Sequence, residues 1–245
     1  MVLFLTSSPT GPLDGSRPVD GLDTMNRFRE NLAKYWPGPA ACLIISASPD
    51  AFSQNDGMTD FFRDAFRRSG FAVARFDLMD RRYSFTAEEI QSYDVIILGG
   101  GHVPTQNEYF HSIGLREAME GFDGIVMGIS AGTMNSAETV YVEPEEPGEA
   151  TDPHFRRYLH GLGLTETKVI PHFQMVRDQF FDGISFADAN YGYSIKTPML
   201  ALTDGAYLLI ADGEETVWGE AWWISNGEPR LVCSTDETLP MTALR

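Results

Sequence analysis

The chain has 245 residues, 43 % of them hydrophobic and 22 % charged, which is the balance of a globular domain and far too apolar for disorder. Eighteen basic side chains stand against 35 acidic ones for a formal charge of −17; such a surface favours solubility and repels phosphate backbones and anionic lipid heads, so nucleic acid and membrane are disfavoured as partners. Cys42 and Cys233 each sit inside an apolar run with no CxxC spacing, the opening apolar run is too short for a signal peptide, and no window nears the roughly 18 apolar residues of a membrane span, so the expected address is cytoplasmic.

In chain order, residues 2–5, 41–46, 72–76, 94–98 and 124–129 are apolar runs too short for helices, bounded by Gly, Pro, Ser or Asp, which predicts strands. Helical patterns lie between them at 22–35, 58–69 and 108–120; in the second, Phe61, Phe62, Ala65 and Phe66 recur three and four apart on one face. Strands alternating with helices of this length imply βαβ units, hence a three-layer α/β/α fold on a mostly parallel sheet. Residues 143–153, with five acids, three prolines and a glycine, predict a solvated loop. The last third changes character. Strand-like runs at 199–202, 207–210, 216–224 and 230–233 are separated at Asp204-Gly205, Asp212-Gly213 and Asn226-Gly227, dipeptides that suit tight hairpins, so an antiparallel extension of the sheet is expected. With no repeat and no linker, residues 1–233 read as a single domain and 234–245 as a frayed tail.

The most informative stretch is Gly128-Ile129-Ser130-Ala131-Gly132, a GxSxG pattern entered directly from a buried strand. A nucleophilic hydroxyl must project from a tight strand-to-helix turn, and glycines two before and two after remove the Cβ atoms that would block it. The following helix start would turn its N–H groups toward developing negative charge. Upstream, the fourth strand ends in Gly99-Gly100-Gly101-His102, bare backbone at the carboxyl edge of a parallel sheet, where sites collect in open α/β folds. An N–H of one of these glycines, with that of Ala131, is suited to an oxyanion hole; the loop lacks the GxGxxG and GxxxxGK[ST] spacings of nucleotide binders. Of five histidines, His154 and His160 fall in an exposed helical pattern, His111 in another, and His102 beside the glycines. His172 differs, because Val169-Ile170-Pro171-His172-Phe173 places it just past a short strand, where a general base belongs. No His/Cys spacing suggests a metal, and no cofactor is implied.

Taken in this order, GGGH, GISAG and IPHF resemble the dipeptidase E and cyanophycinase family of serine peptidases, from Phe4-Leu5-Thr6-Ser7-Ser8 to about Ile224. The opening FLTSS is generic; the other three are specific in combination. The resemblance implies a class I glutamine amidotransferase-like α/β/α fold, Ser130 as nucleophile, His172 as base, the backbone of Gly100 or Gly101 with Ala131 as the oxyanion hole, a small peptide substrate, and an acid before glycine after a late strand, matching Asp204-Gly205. That dipeptide is also a plain turn signal, and Glu143, Glu145 and Glu146 are rivals for the acid. His102 stands where relatives place Asn, close to substrate, and Arg177 is the candidate basic residue for substrate recognition. A homodimer through an exposed C-terminal strand edge is a further expectation.

The expected chemistry is acyl transfer, with the Ser130 hydroxyl and the His172 imidazole meeting within hydrogen-bonding reach beneath the glycine ledge. Two other readings exist. An α/β-hydrolase esterase shares the elbow but places its acid before the histidine. A fold relative that binds without turnover is the second; an amidotransferase proper needs cysteine where Ser130 stands.

Overall fold

Five apolar runs make the parallel centre of the fold: β1 (Val2–Thr6), β2 (Ala40–Ile45), β3 (Val73–Met79), β4 (Val95–Leu98) and β5 (Ile125–Ile129). The computed structural model describes residues 1–12, 15 and 19–245. These strands lie side by side in the order β1-β5-β4-β2-β3, each neighbouring pair parallel. Successive side chains of a strand point to opposite faces. Leu3, Leu5, Ile96 and Leu98 therefore enter one buried cluster, while Phe4, Val95 and Ile97 enter another. Neither face can be left to water, so helices cover both. Helices α1 (Phe28–Tyr35) and α2 (Phe52–Arg68) pack Phe28, Leu32, Phe62 and Phe66 against the second face. Helices α3 (Ala87–Gln91), α4 (Val103–Ser112) and α5 (Leu115–Ala118) pack Ile90, Tyr109, Phe110 and Leu115 against the first. This is the three-layer α/β/α arrangement.

Helix limits shift where local chemistry overrules periodicity. Asn26 and Arg27 take left-handed conformations, so the expected helix at 22–35 becomes regular only at Phe28. The stretch 108–120 is two helices, broken at Gly114 with φ 60°, and the first starts earlier because Pro104 pre-sets its first turn. His160 lies in the short strand Tyr158–His160 and His154 in a turn, not in a helix.

The C-terminal third divides between two sheets. The strand Tyr207–Ala211 runs antiparallel to β1, and Glu214–Trp218 and then Thr238–Pro240 extend that edge. Residues 234–245 are thus no frayed tail: they supply the edge strand, and the Arg245 guanidinium bonds the Glu215 carboxylate at 2.6 Å. The expected strand 216–224 is two strands, because Gly219 turns with φ 92° and sends the chain elsewhere. Ala221–Ser225 joins Glu228–Cys233, Met199–Leu202 and Val169–Ile170 in a separate four-stranded sheet. Asp212-Gly213 and Asn226-Gly227 do close hairpins. Asp204-Gly205 does not: it is the corner where the chain leaves the small sheet for the large one. Among the described residues no helix is long and apolar enough to cross a membrane.

Candidate active site

Three strands of the large sheet end together at the carboxyl edge of its parallel centre. β4 runs into Gly99, β5 into Ser130 and β1 into Ser7. At the elbow, Ser130 has φ 51° and ψ −112°, a conformation that L residues rarely adopt. Neighbouring contacts force it. The Ser130 N–H donates to the Thr6 carbonyl at 3.1 Å, the Thr133 hydroxyl donates to the same carbonyl at 2.8 Å, and the Thr6 hydroxyl donates to the Gly128 carbonyl at 2.8 Å. A Cβ on Gly128 would stand 2.8 Å from Thr133 Cα, and one on Gly132 would be driven into the Leu98 carbonyl, 2.6 Å from its carbon. The two glycines of GxSxG are therefore steric necessities. The helix beyond, α6 (Ala131–Asn135), is only five residues long, so its contribution as a dipole is small and its free first N–H groups matter more.

The glycine loop lies against this elbow. A Cβ on Gly100 would be 3.4 Å from Ser130 Cβ, and one on Gly101 would be 2.7 Å from Ala47 Cβ. Among the described residues the N–H groups of Gly100, Gly101 and Ala131 make no hydrogen bond, whereas Gly99 N–H is used by the Ile45 carbonyl at 2.9 Å. Two unspent donors beside the serine, from Gly100 and Ala131, have the composition of an oxyanion hole.

The imidazole and its acid meet for a reason of register. Val169–Ile170 pairs in parallel with Met199–Leu202, Ile170 opposite Ala201, so the residues just beyond, His172 and Asp204, leave the small sheet side by side. His172 itself has φ 54°, beginning the single turn α7 (Phe173–Val176). Its Nδ1 lies 2.6 Å from Asp204 Oδ1, and the Asp204 side chain is 1 % exposed. A bare Nδ1 lone pair facing a carboxylate at that distance would be repelled. Nδ1 therefore carries the proton, leaving Nε2 as the acceptor. Asp204 Oδ2 accepts from the Gln174 side-chain amide at 2.8 Å, and Gln174 Oε1 accepts the Asp204 N–H at 3.1 Å. The Ser7 hydroxyl donates to Asp204 Oδ1 at 2.8 Å and accepts the His172 backbone N–H at 2.7 Å.

Ser7 and Gln174 were not singled out by the sequence. Serine after a buried strand and glutamine in an exposed turn are both common, and the only signal was the nearness of Gln174 to His172. The expected Ser130–His172 hydrogen bond is not formed: among the described residues neither the Ser130 hydroxyl nor His172 Nε2 has a partner within 3.5 Å. Both residues flank the end of β1, Ser130 through Thr6 and His172 through Ser7. Catalytic hydrogen bonds that are long without substrate commonly tighten when it binds.

Of the rival acids, none bonds His172. Glu143 is 4 % exposed rather than solvated, and one carboxyl oxygen has no partner among the described residues; burial, with the charge of Glu145, pushes its carboxyl well above the usual range against the pull of Arg157. Burial, then Glu149 and Glu146, push Glu145 up to about 7. Glu146 is exposed. This loop is fastened to the ledge: His102 Nε2 lies 3.0 Å from Glu149 Oε1, and Glu149 Oε2 accepts the N–H groups of Glu145 and Glu146 at 2.8 and 2.9 Å. His102 thus borders the glycines as expected, though it is engaged by Glu149 and by the Thr105 hydroxyl at 2.8 Å. Arg177 lies one turn beyond His172, with Nε 3.3 Å from Asp178 and its guanidinium over the Trp222 ring at 5.6 Å; no contact brings it to Ser130. No group of three or more His, Cys, Asp or Glu among the described residues could hold a metal ion.

An α/β/α fold with serine on a strained elbow and a buried His–Asp pair at the same edge defines the class as a serine hydrolase. The chain belongs to the family described as Peptidase family S51, which matches residues 21–217 and so spans Ser130, His172 and Asp204. Two solved structures share its fold. One is a peptidase from an acI-B1 Actinobacterium, 16 % identical over 98 % of this chain and 96 % of that one, with a TM-score of 0.69. The other is a protein of peptidase E type from Listeria monocytogenes EGD-e, 14 % identical over 94 % of this chain and 97 % of that one, with a TM-score of 0.53. No curated protein matches the chain.

Proposed function

We propose that this peptidase is of dipeptidase E type and cleaves a small peptide or amide through an acyl-enzyme on Ser130. The observation that carries the reading is the buried Asp204–His172 pair, held at 2.6 Å beside the strand end that also anchors the Ser130 elbow. His172 Nε2 takes the Ser130 proton as the hydroxyl oxygen attacks the carbonyl carbon, and Asp204 holds the imidazolium that forms. The N–H groups of Ala131 and of Gly100 or Gly101 receive the oxyanion. Nε2 then returns the proton to the leaving amine, and water repeats the sequence on the acyl-serine. The chain order supports this over an α/β-hydrolase esterase, because the acid bonded to His172 follows it in sequence.

The proposed substrate is a free small peptide in the cytoplasm, which suits two buried unpaired cysteines, one of them, Cys42, with its thiol pushed up to about 12 by burial and by Asp94 and Asp77. Fluorophosphonate labelling followed by intact-mass analysis tests the nucleophile: one adduct, lost in Ser130→Ala, is expected. A panel of aspartyl and β-aspartyl dipeptides tests the substrate. An unlabelled wild-type protein that also cleaves none of the panel overturns the reading.

A further inference from the structure

Ser7 is completely buried at the end of β1, and its hydroxyl stands among three strands that adjoin the proposed triad. β1 pairs with β5 on one side, Thr6 opposite Ile129, so the next residues are Ser7 and Ser130. On its other side β1 pairs with Tyr207–Ala211, Thr6 opposite Tyr207, and the Ser7 N–H reaches the Ala206 carbonyl at 3.4 Å, two residues from Asp204. The third strand is Val169–Ile170, which ends at Pro171 and His172. One side chain at this crossing can fix the relative position of elements that come from two different sheets.

The hydroxyl's hydrogen bonds are specific to that task. It has one proton, and Asp204 Oδ1 receives it at 2.8 Å. Its lone pairs accept the His172 backbone N–H at 2.7 Å and face His172 Nδ1 at 3.2 Å. Ser7 Oγ, His172 Nδ1 and Asp204 Oδ1 thus form a closed triangle in which the carboxylate oxygen takes two donors. The backbone bond matters as much as the carboxylate bond, because His172 sits at φ 54°, where a residue other than glycine stays only if its surroundings hold it. Gln174 secures the other carboxylate oxygen from the opposite side.

We propose that Ser7 is a positioning residue for the hydrolytic reaction, acting through Asp204 and His172 to set the imidazole's tautomer and aim; this rests on the function proposed above. Ser7 touches no substrate. Its removal loosens the base, and a misplacement on the order of 1 Å costs about 100-fold in rate.

The test compares Ser7→Ala with Ser194→Ala in the full chain. Ser194 is an equally buried serine whose hydroxyl likewise donates once, to the Tyr191 carbonyl at 2.7 Å, and accepts one backbone N–H, from Gly227 at 2.9 Å, but it lies in the 3-10 turn Tyr191–Ile195, tied to a hairpin of the small sheet. Ser7→Ala is expected to lower kcat and the fluorophosphonate labelling rate roughly 10- to 100-fold with KM little changed. Ser194→Ala is expected to lower Tm to a similar degree while keeping labelling within about twofold. Equal labelling losses in the two variants, or a Ser7→Ala protein with wild-type kcat and labelling rate, would overturn the proposal. The downfield proton resonance of His172 Nδ1–H needs no turnover: it should shift or broaden in Ser7→Ala alone. Wild-type protein that resists labelling sinks the serine nucleophile, whereas that resonance still judges Ser7.

Discussion

Replacing Ser130 by glycine should destroy the proposed activity and at the same time make the protein more stable. At φ 51° and ψ −112° the residue occupies a region that the Cβ of an L residue disfavours, at a cost of about 1–3 kcal/mol. Glycine has no handedness, so for it the same point is equivalent to its mirror image near φ −51° and ψ 112°, on the flank of the polyproline region. Against that relief, glycine returns about 0.5–1 kcal/mol of freedom to the unfolded chain. Alanine keeps the Cβ, and with it the penalty, so the informative comparison is Ser130→Gly with Ser130→Ala, both without a nucleophile. The balance favours glycine by about 1 kcal/mol, which for a chain of this length raises Tm by about 2–4 °C. Scanning calorimetry of the two variants measures it. A glycine variant that melts at or below the alanine variant would show that the elbow stores no strain, and the account of how Gly128, Gly132 and Thr6 hold the serine would have to be abandoned.

Three further outcomes are expected. Gly132→Ala puts a methyl group against the Leu98 carbonyl, a backbone atom that cannot swing aside; a loss of about 1–3 kcal/mol in denaturant melts, with labelling at Ser130 slowed, is expected, and a wild-type midpoint would contradict the close approach. Asp204→Asn is expected to lower turnover by about four decades, because an amide can offer its N–H to Nδ1 and favour the wrong tautomer; activity within tenfold of wild type would mean that another group orients His172. Glu145 gives a stability prediction with a definite sign. Its folded value of about 7 exceeds the ordinary 4.5, so the folded state favours the protonated form. That contribution is complete below about pH 4.5 and is lost as pH rises through about 7, a change on the order of 1–3 kcal/mol. The stability difference between wild type and Glu145→Gln, measured at pH 5 and pH 8, should therefore change by that amount, and an unchanged difference refutes the burial argument.

The acidic segment shows where composition misleads. Five acids among three prolines describe a wet loop, and most of 143–153 is exposed. Yet Glu143 is buried, because Val140 and Val142 on the same short stretch pack with Val103, Ala131 and Met134 beside the elbow and take the next residue inward with them. Local polarity could not reveal that anchor. The same holds for the C-terminal residues 234–245, whose polar character suggested fraying although a vacant strand edge was waiting for Thr238–Pro240.

Periodicity and punctuation in the sequence determined the layered fold, the five parallel strands and the identity of the elbow, since each depends on residues close in the chain: apolar runs of strand length, glycines two either side of a serine, glycines ending a strand. Position 172 was also legible, as a histidine just past a strand. Tertiary structure alone decided the rest. Whether Asp204 was a hairpin corner or a histidine's partner turned on the parallel pairing of Val169–Ile170 with Met199–Leu202, residues about 30 apart whose register no local pattern encodes. Ser7 is separated from His172 by 165 positions and from Asp204 by 197. Its duty arises only where β1 is flanked by two other strands, because a hydrogen bond depends on where donor and acceptor end in space, and chain separation carries no record of that.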